Sequence, residues 1–343
     1  MKPRLFITRR LPGPCFDRLL EEFDAEVWPE WRNPPYDIIA EKASEVDGLV
    51  TLLTDRIDCK VIETGSRNKL RIIAQYAVGY DNIDVECATR HRVYVTNTPD
   101  VLTEAVAELT WGLILAAARH IVHADAYVRR GDWYNSGTAW HPELMLGLEL
   151  RGKTLGIVGF GRIGRAVARI GAHGFGMRVL YYSRHRADPL IEKEIGAEYV
   201  PLYVLLRESD IVSIHVPLNN ETRHMISEPE LRLMKPTAIL VNTARGAVVD
   251  TKALVKALQE HWIAAAALDV FEEEPLPPDH PLTKLDNVVL APHIGSATRR
   301  AREAMTCAVL ENLLAFKNGK VPPNLVNQDV VSKTPPGFSI GQL

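Results

Sequence analysis

Short apolar runs alternate with amphipathic stretches along most of this chain. Before residue 100 the apolar runs fall at 4–8, 48–53, 70–75 and 93–96, with helical spacing between them at 16–22, 36–42 and 60–65. A turn at 97–100 then leads into a long helix predicted over 102–130, with Thr103 as its N-cap and Glu104 in its first turn. Its broad Ala-rich face through Leu109, Leu113 and Ala118 suits a buried helix, and the domain crossover is placed there. Strands are predicted again at 154–158, 178–182, 211–216, 238–241, 263–268 and 288–291, with helices at 162–172, 202–208, 227–233 and 251–259. A last helix over 297–317 returns the chain toward its first domain, and the tail from Ser332 reads as an irregular arm. Strand–helix alternation of this kind implies parallel sheets covered on both faces, hence an α/β fold.

A length of 343 residues suggests two domains, at roughly 150 residues each. Lysine and arginine total 40 against 43 acidic residues, a net charge of −3 that argues against a nucleic-acid or membrane-surface protein built on bulk charge. The longest apolar runs, 113–118 and 263–268, fall far short of the ~18–20 residues that span a bilayer. The basic N-terminal segment lacks an apolar core of signal-peptide length, so a cytoplasmic protein is expected. Cys15, Cys59, Cys87 and Cys307 are scattered with no C-x-x-C pair; reduced, buried thiols are expected, with neither metal site nor disulfide.

The strand predicted at 154–158 runs straight into Gly159-Phe160-Gly161-Arg162-Ile163-Gly164 and then a helix. This is G-x-G-x-x-G in the context that gives it meaning: Gly159 for the tight turn, Gly161 for close approach of a pyrophosphate, and Gly164 for helix–strand packing. The helix N-terminus offers N–H groups and positive dipole to the anion. About 20 residues on, an NAD site places an acidic residue on the ribose hydroxyls. Here Ser183, Arg184, His185 and Arg186 follow the second strand, a setting that suits a 2′-phosphate. NADP(H) is therefore favoured, with NAD(H) left open.

Three later segments put polar residues at strand ends, where open α/β sheets bind ligands: 242–246, 269–275 and 291–296. Reduction of a keto acid needs a cation for the carboxylate, and the planar guanidinium of Arg245 can grip one bidentately. It needs a proton donor for the developing alkoxide, a role that suits the histidine at 293. It gains from a carboxylate that orients the imidazole, for which Glu274 is the candidate, while Glu272 and Glu273 read as solvated.

In this order and with these gaps, GFGRIG, NTARG, ALDVFEEEP and APHIGSAT resemble the D-isomer-specific 2-hydroxyacid dehydrogenases, as do YAVGYDNID (Tyr76–Asp84) and VTNTPDVLTEAVAELT (Val95–Thr110). The resemblance covers residues 4–327 and is greatest to the glyoxylate/hydroxypyruvate reductase branch. It implies two doubly wound parallel-sheet domains: a Rossmann cofactor domain at 102–293 and a discontinuous, flavodoxin-like substrate domain at 1–101 and 294–343, with the active site in the cleft between them. It also implies that Arg245 binds the carboxylate and polarises the carbonyl, that His293 is the acid/base, and that Glu274 is its partner. Val78 and Gly79 would hold the substrate carboxylate through backbone N–H groups, with Leu53 alongside. Asp269 would contact the nicotinamide amide. Phe160, Arg162 and Ile163 would lie at the pyrophosphate, and Pro217, Thr243, Ala244 and Gly295 would line the cofactor. A homodimer is implied, with Trp140 reaching the partner's active site.

Departures from the family pattern carry information as well. No acidic residue follows Tyr182, which turns the cofactor away from the family's usual NAD. Only a short tail follows the last helix, unlike the regulatory extension of many phosphoglycerate dehydrogenases, and Glu274 stands where formate dehydrogenases carry glutamine. The implied activity is NAD(P)H-dependent reduction of glyoxylate to glycolate, with hydroxypyruvate as the alternative substrate. A dinucleotide-sensing regulator is a remoter alternative, disfavoured because no long polar extension or basic DNA-binding segment is seen.

Overall fold

The structure is a computed structural model describing residues 2–338; residues 339–343 of the predicted irregular tail lie outside the described residues. The chain divides into two compact units, residues 1–102 with 296–343, and residues 103–295.

The first unit opens with β1 (Arg4–Ile7), α1 (Pro14–Glu22), β2 (Asp24–Val27), α2 (Tyr36–Glu45), β3 (Gly48–Thr51), α3 (Cys59–Ser66), β4 (Ile72–Gln75), α4 (Val85–Arg90) and β5 (Tyr94–Thr96). Its sheet is parallel throughout, in the order β2-β1-β3-β4-β5, the flavodoxin-like doubly wound arrangement. Strands β3, β4 and β5 are buried along their whole length, as parallel strands covered by helices are. The strand β2 was not predicted. Its sequence DAEV is half exposed at the sheet edge, where a polar strand has no second face to bury.

The second unit comprises α5 (Thr103–Ala118), α6 (Ile121–Arg129), α7 (Asp132–Asn135), β6 (Thr154–Val158), α8 (Arg162–Phe175), β7 (Arg178–Tyr182), α9 (Pro189–Ile195), β8 (Ala197–Tyr199), α10 (Leu202–Glu208), β9 (Ile211–Ile214), α11 (Glu228–Leu233), β10 (Ile239–Asn242), α12 (Thr251–Gln259), β11 (Ala265–Leu268) and β12 (Val288–Leu290). All seven strands are parallel, in the order β12-β11-β10-β9-β6-β7-β8. The winding reverses between β6 and β9, so the loops after these two strands flank the crevice in which doubly wound sheets bind ligands. Small residues on α8 let α5 approach: a Cβ on Gly171 would lie 3.0 Å from the Trp111 ring, whose Nε1 donates to the Val167 carbonyl at 3.1 Å. Trp111 also stacks on Phe175 with ring centroids 4.4 Å apart.

The predicted helix over 102–130 is divided. His120 takes a left-handed backbone (φ 53°), and α5 and α6 meet at 63°. No glycine or proline announces this break. Helix α5 begins at Thr103, so Thr103 is its first residue and not its N-cap. Among the described residues no single helix is long and apolar enough to cross a membrane.

The chain re-enters the first unit through α13 (Arg299–Lys317), capped by the Thr298 hydroxyl, which accepts from Ala301 N. The tail is more ordered than predicted. Residues Gln328–Ser332 form a short 3-10 helix, and Phe338 packs edge-on against Phe23 and Phe316. The expectation of free thiols is overturned: Cys15 is bonded to Cys307 and Cys59 to Cys87. Spacing along the chain hid both pairs, because the first joins α1 to α13 across 292 residues and the second joins α3 to α4.

Candidate active site

The turn after β6 has the local geometry its glycines require. Gly159 has φ +100°, and a Cβ there would lie 2.7 Å from the His215 carbonyl carbon. A Cβ on Gly164 would lie 2.1 Å from the Gly159 oxygen, so α8 can cross β6 this closely only without a side chain. Gly161 differs. A Cβ there would meet nothing within 4 Å, so its backbone faces open space at the N-terminus of α8. No side chain caps that terminus, which leaves backbone N–H groups and the helix dipole for an anion. These features fit a dinucleotide pyrophosphate. Phe160 points inward, stacked on Tyr181 at 3.9 Å, and contributes only its backbone to the turn. Ile163 also packs on the core, and Arg162 opens α8.

Beyond β7, the Ser183 carbonyl accepts from the Tyr199 hydroxyl. Arg184 and His185 are exposed, and Arg184 lies 3.7 Å from the equally exposed Glu221. Arg186 does not join them: its guanidinium forms a two-pronged pair with Glu192 at 2.9 and 2.8 Å, which holds it against the body of the unit. Pro217, after β9, is exposed and its carbonyl accepts from Thr222.

The end of β10 is shaped by Asn242, a buried residue that motif reasoning passed over. Its amide donates to the Arg245 carbonyl at 2.9 Å and its oxygen accepts from Ala244 N at 3.0 Å. Thr243 meets Thr110 of α5, hydroxyl to hydroxyl, at 3.0 Å. The next residue, Gly246, lies so close to the chain at Phe271 that a Cβ would sit 1.8 Å from its carbonyl carbon. The loops after β10 and β11 are thereby held together.

In that second loop Glu274 accepts twice. Its Oε1 takes Phe271 N at 2.9 Å and its Oε2 lies 2.7 Å from His293 Nδ1. Burial pushes the Glu274 carboxyl upward, but the His293 hydrogen bond and nearby charge, the Phe271 N–H and the charge of Arg245 together hold it below the usual carboxylate value. Glu272 is exposed, as expected, and also accepts from Thr251 N at 2.8 Å and lies 3.0 Å from His224 Nε2.

His293 has φ 55°, an unusual conformation for a residue with a Cβ. Asp269 explains how it is held. The Asp269 carbonyl accepts from His293 N at 2.9 Å, and its two carboxylate oxygens accept from Ile294 N and Gly295 N, each at 2.8 Å. Asp269 is buried, and desolvation raises its pKa against the pull of those two N–H groups. Both its oxygens face the loop backbone. The positions at 269 and 295 thus fix the turn that presents the imidazole.

In the first unit, Leu53, Val78 and Gly79 follow β3 and β4 at the carboxyl end of that sheet. The Asn97 amide donates to the Val78 carbonyl at 2.9 Å, and the Gln75 amide to the Gly79 carbonyl at 3.2 Å. Trp140 lies in the loop after α7 and is 75% exposed.

The NAD binding domain pattern of the D-isomer specific 2-hydroxyacid dehydrogenases matches residues 111–295. The chain is 63% identical over 337 residues to a glyoxylate reductase of Aeropyrum pernix, covering 98% of this chain and 99% of that one. The chain belongs to the D-isomer specific 2-hydroxyacid dehydrogenases. A glyoxylate reductase of Thermococcus litoralis is 59% identical over 336 residues, covering 98% of this chain and all of that one. Among solved structures, an NADPH-dependent glyoxylate/hydroxypyruvate reductase from Sinorhizobium meliloti, in complex with NADP and malonate, superposes with a TM-score of 0.83. It is 32% identical and covers 99% of this chain and 100% of its own. This 2-hydroxyacid dehydrogenase is accordingly an NAD(P)-dependent oxidoreductase acting on a CH–OH group, and the five- and seven-stranded parallel sheets of its described residues are the family's α/β architecture.

Proposed function

We propose that the protein reduces glyoxylate to glycolate, with NADPH as the preferred cofactor. The observation that carries the proposal is the His293–Glu274 pair at 2.7 Å, held at the carboxyl ends of β11 and β12 in the same unit as Arg245 and the glycine turn. The high identity to archaeal glyoxylate reductases over nearly the whole chain supports the choice of substrate.

A nicotinamide cofactor held by the glycine turn would supply hydride for the carbonyl carbon. Arg245 grips the substrate carboxylate and polarises the adjacent carbonyl. His293 gives a proton to the carbonyl oxygen as it becomes an alkoxide, from the nitrogen opposite the one facing Glu274. Glu274, anionic through the neutral range, holds the imidazole in that orientation and stabilises its protonated form. Asp269 and Gly295 fix the turn that presents His293, Asp269 contacts the nicotinamide amide and Gly295 lines the cofactor. Gly159, Gly161, Arg162 and Ile163 form the pyrophosphate site, with Pro217, Thr243 and Ala244 lining the cofactor. Val78 and Gly79 remain the assigned backbone donors to the carboxylate, with Leu53 beside them.

Ser183, Arg184 and His185 form the 2′-phosphate site, while Arg186 is excluded by its pair with Glu192. The exposed Ile121, Val122, Val128, Tyr134, Trp140 and Leu146 lie on α6, α7 and the loop beyond, a patch suited to a homodimer contact. A cytoplasmic location is consistent with this chemistry. The test is initial-rate kinetics with glyoxylate, run in parallel with NADPH and NADH. Faster turnover with NADPH, reduced about tenfold by Arg184→Ala, is the expected result. Equal or faster turnover with NADH overturns the cofactor assignment, and no turnover with either overturns the substrate.

A further inference from the structure

A second cluster of reactive side chains lies on two helices of the first unit and includes none of the residues assigned to the reductase site. Cys59 is the first residue of α3 and Glu63 lies one turn further on; Cys87 lies within α4 and His91 follows one turn on at its C-terminal cap. An i,i+4 spacing puts each pair on one helix face. The two helices bring both pairs together, so that one ligating atom from each of the four residues lies within 4.8 Å of the others. The carboxylate of Glu63 lies 3.7 Å from Cys59 Sγ and 3.5 Å from His91 Nε2. His91 Nδ1 faces the Ser66 hydroxyl at 3.4 Å, which turns Nε2 inward, as the outer partner of a metal-bound histidine does. Arg90 Nη2 lies 3.8 Å from Cys59 Sγ and puts positive charge beside that sulfur.

We propose that, once the Cys59–Cys87 bond is reduced, these four residues form a structural zinc site. Two sulfurs, one imidazole nitrogen and one carboxylate oxygen suit a tetrahedral, borderline-soft divalent ion and disfavour the all-oxygen preferences of calcium and magnesium. The disulfide is the metal-free oxidised state of the same site. Its opening consumes two electrons and two protons from a dithiol reductant, which is itself oxidised to a disulfide. Zinc then displaces the two thiol protons and binds both thiolates, the neutral imidazole and the carboxylate. Sequence reading missed the cluster because its spacing is one helical turn on each of two helices, not C-x-x-C. The Cys15–Cys307 pair joins no such group among the described residues, so one zinc per chain is expected.

The test uses the full chain, reduced without oxygen, freed of reductant and equilibrated with buffered zinc. Bound metal is measured by plasma mass spectrometry, and cobalt replaces zinc to reveal thiolate charge-transfer absorption. One zinc per reduced chain is expected, none in the untreated disulfide form, and release on re-oxidation. Cys87→Ser should abolish the cobalt–thiolate band, and His91→Ala and Glu63→Ala, at partly exposed positions, should each weaken zinc at least about tenfold. Circular dichroism identifies any variant that fails to fold, in which case the remaining variants decide. Failure of the reduced chain to bind zinc overturns the proposal. So does zinc that survives in all folded variants, or zinc lost only in His293→Ala.

Discussion

The two units are built on the same plan and use their strand ends differently. In both, a parallel doubly wound sheet presents its loops at the carboxyl edge. In the second unit those loops are tied to one another by polar side chains facing backbone: Asn242 brackets Arg245, Glu274 caps Phe271 N, and Asp269 holds the turn at His293. Arginine, glutamate and histidine are thereby set at the ends of β10, β11 and β12. In the first unit the corresponding side chains turn inward. Thr8 bonds to buried Asp55 at 2.5 Å, Thr51 to Gln75 at 2.7 Å, and Gln75 to Asn82 at 2.7 Å, and two disulfides staple the surrounding helices. A sheet sets where chemistry can be placed. The loops decide whether polar groups there rigidify the unit or face a ligand.

Arg245→Ala should break this contrast most severely. Removing a charge-assisted grip on a carboxylate costs roughly 3–4 kcal/mol, so kcat/KM for glyoxylate should fall by about two to three orders of magnitude with the fold intact. Steady-state kinetics beside circular dichroism checks it; retention of activity would remove Arg245 from the site. In the first unit the large effect should be on stability. Cys15→Ser/Cys307→Ser releases a loop of 292 residues and should destabilise that unit by on the order of 2–4 kcal/mol, with little effect on kcat. Denaturant unfolding measures this, and an unchanged midpoint would contradict it.

Glu274→Gln should have a smaller effect, roughly 10–100-fold in kcat/KM, because glutamine preserves shape but not charge. It also has a pH signature. The Glu274 pKa is depressed in the folded state, so the ionised carboxylate contributes stability that is fully present above the usual value of 4.5 and is lost as pH falls through the lowered folded value. Wild type should lose stability relative to Glu274→Gln across that acidic window, as read from paired unfolding curves. Parallel curves at every pH would show that the pair stores no such energy.

Much of the second unit was legible because its chemistry is local in sequence. A glycine turn between strand and helix, and polar residues directly after apolar runs, each announce themselves within a few positions. Helices α10 and α12 fall at the residues predicted for them, since short amphipathic segments between buried strands leave little freedom. What was missed depends on contacts between distant segments. The edge strands β2 and β8 are too polar to stand out, the left-handed turn at His120 has no sequence marker, and the disulfides join residues that only the fold brings together. The ion pair of Glu272 with His224, 48 residues away, was invisible for the same reason.

The most direct test of the central claim is the rate of glyoxylate reduction by His293→Ala, measured beside NADPH binding by fluorescence titration. The account predicts a fall in kcat of roughly two to four orders of magnitude with cofactor affinity retained, since the substitution removes the proton donor and leaves the glycine turn intact. Turnover close to that of the unaltered protein would contradict it.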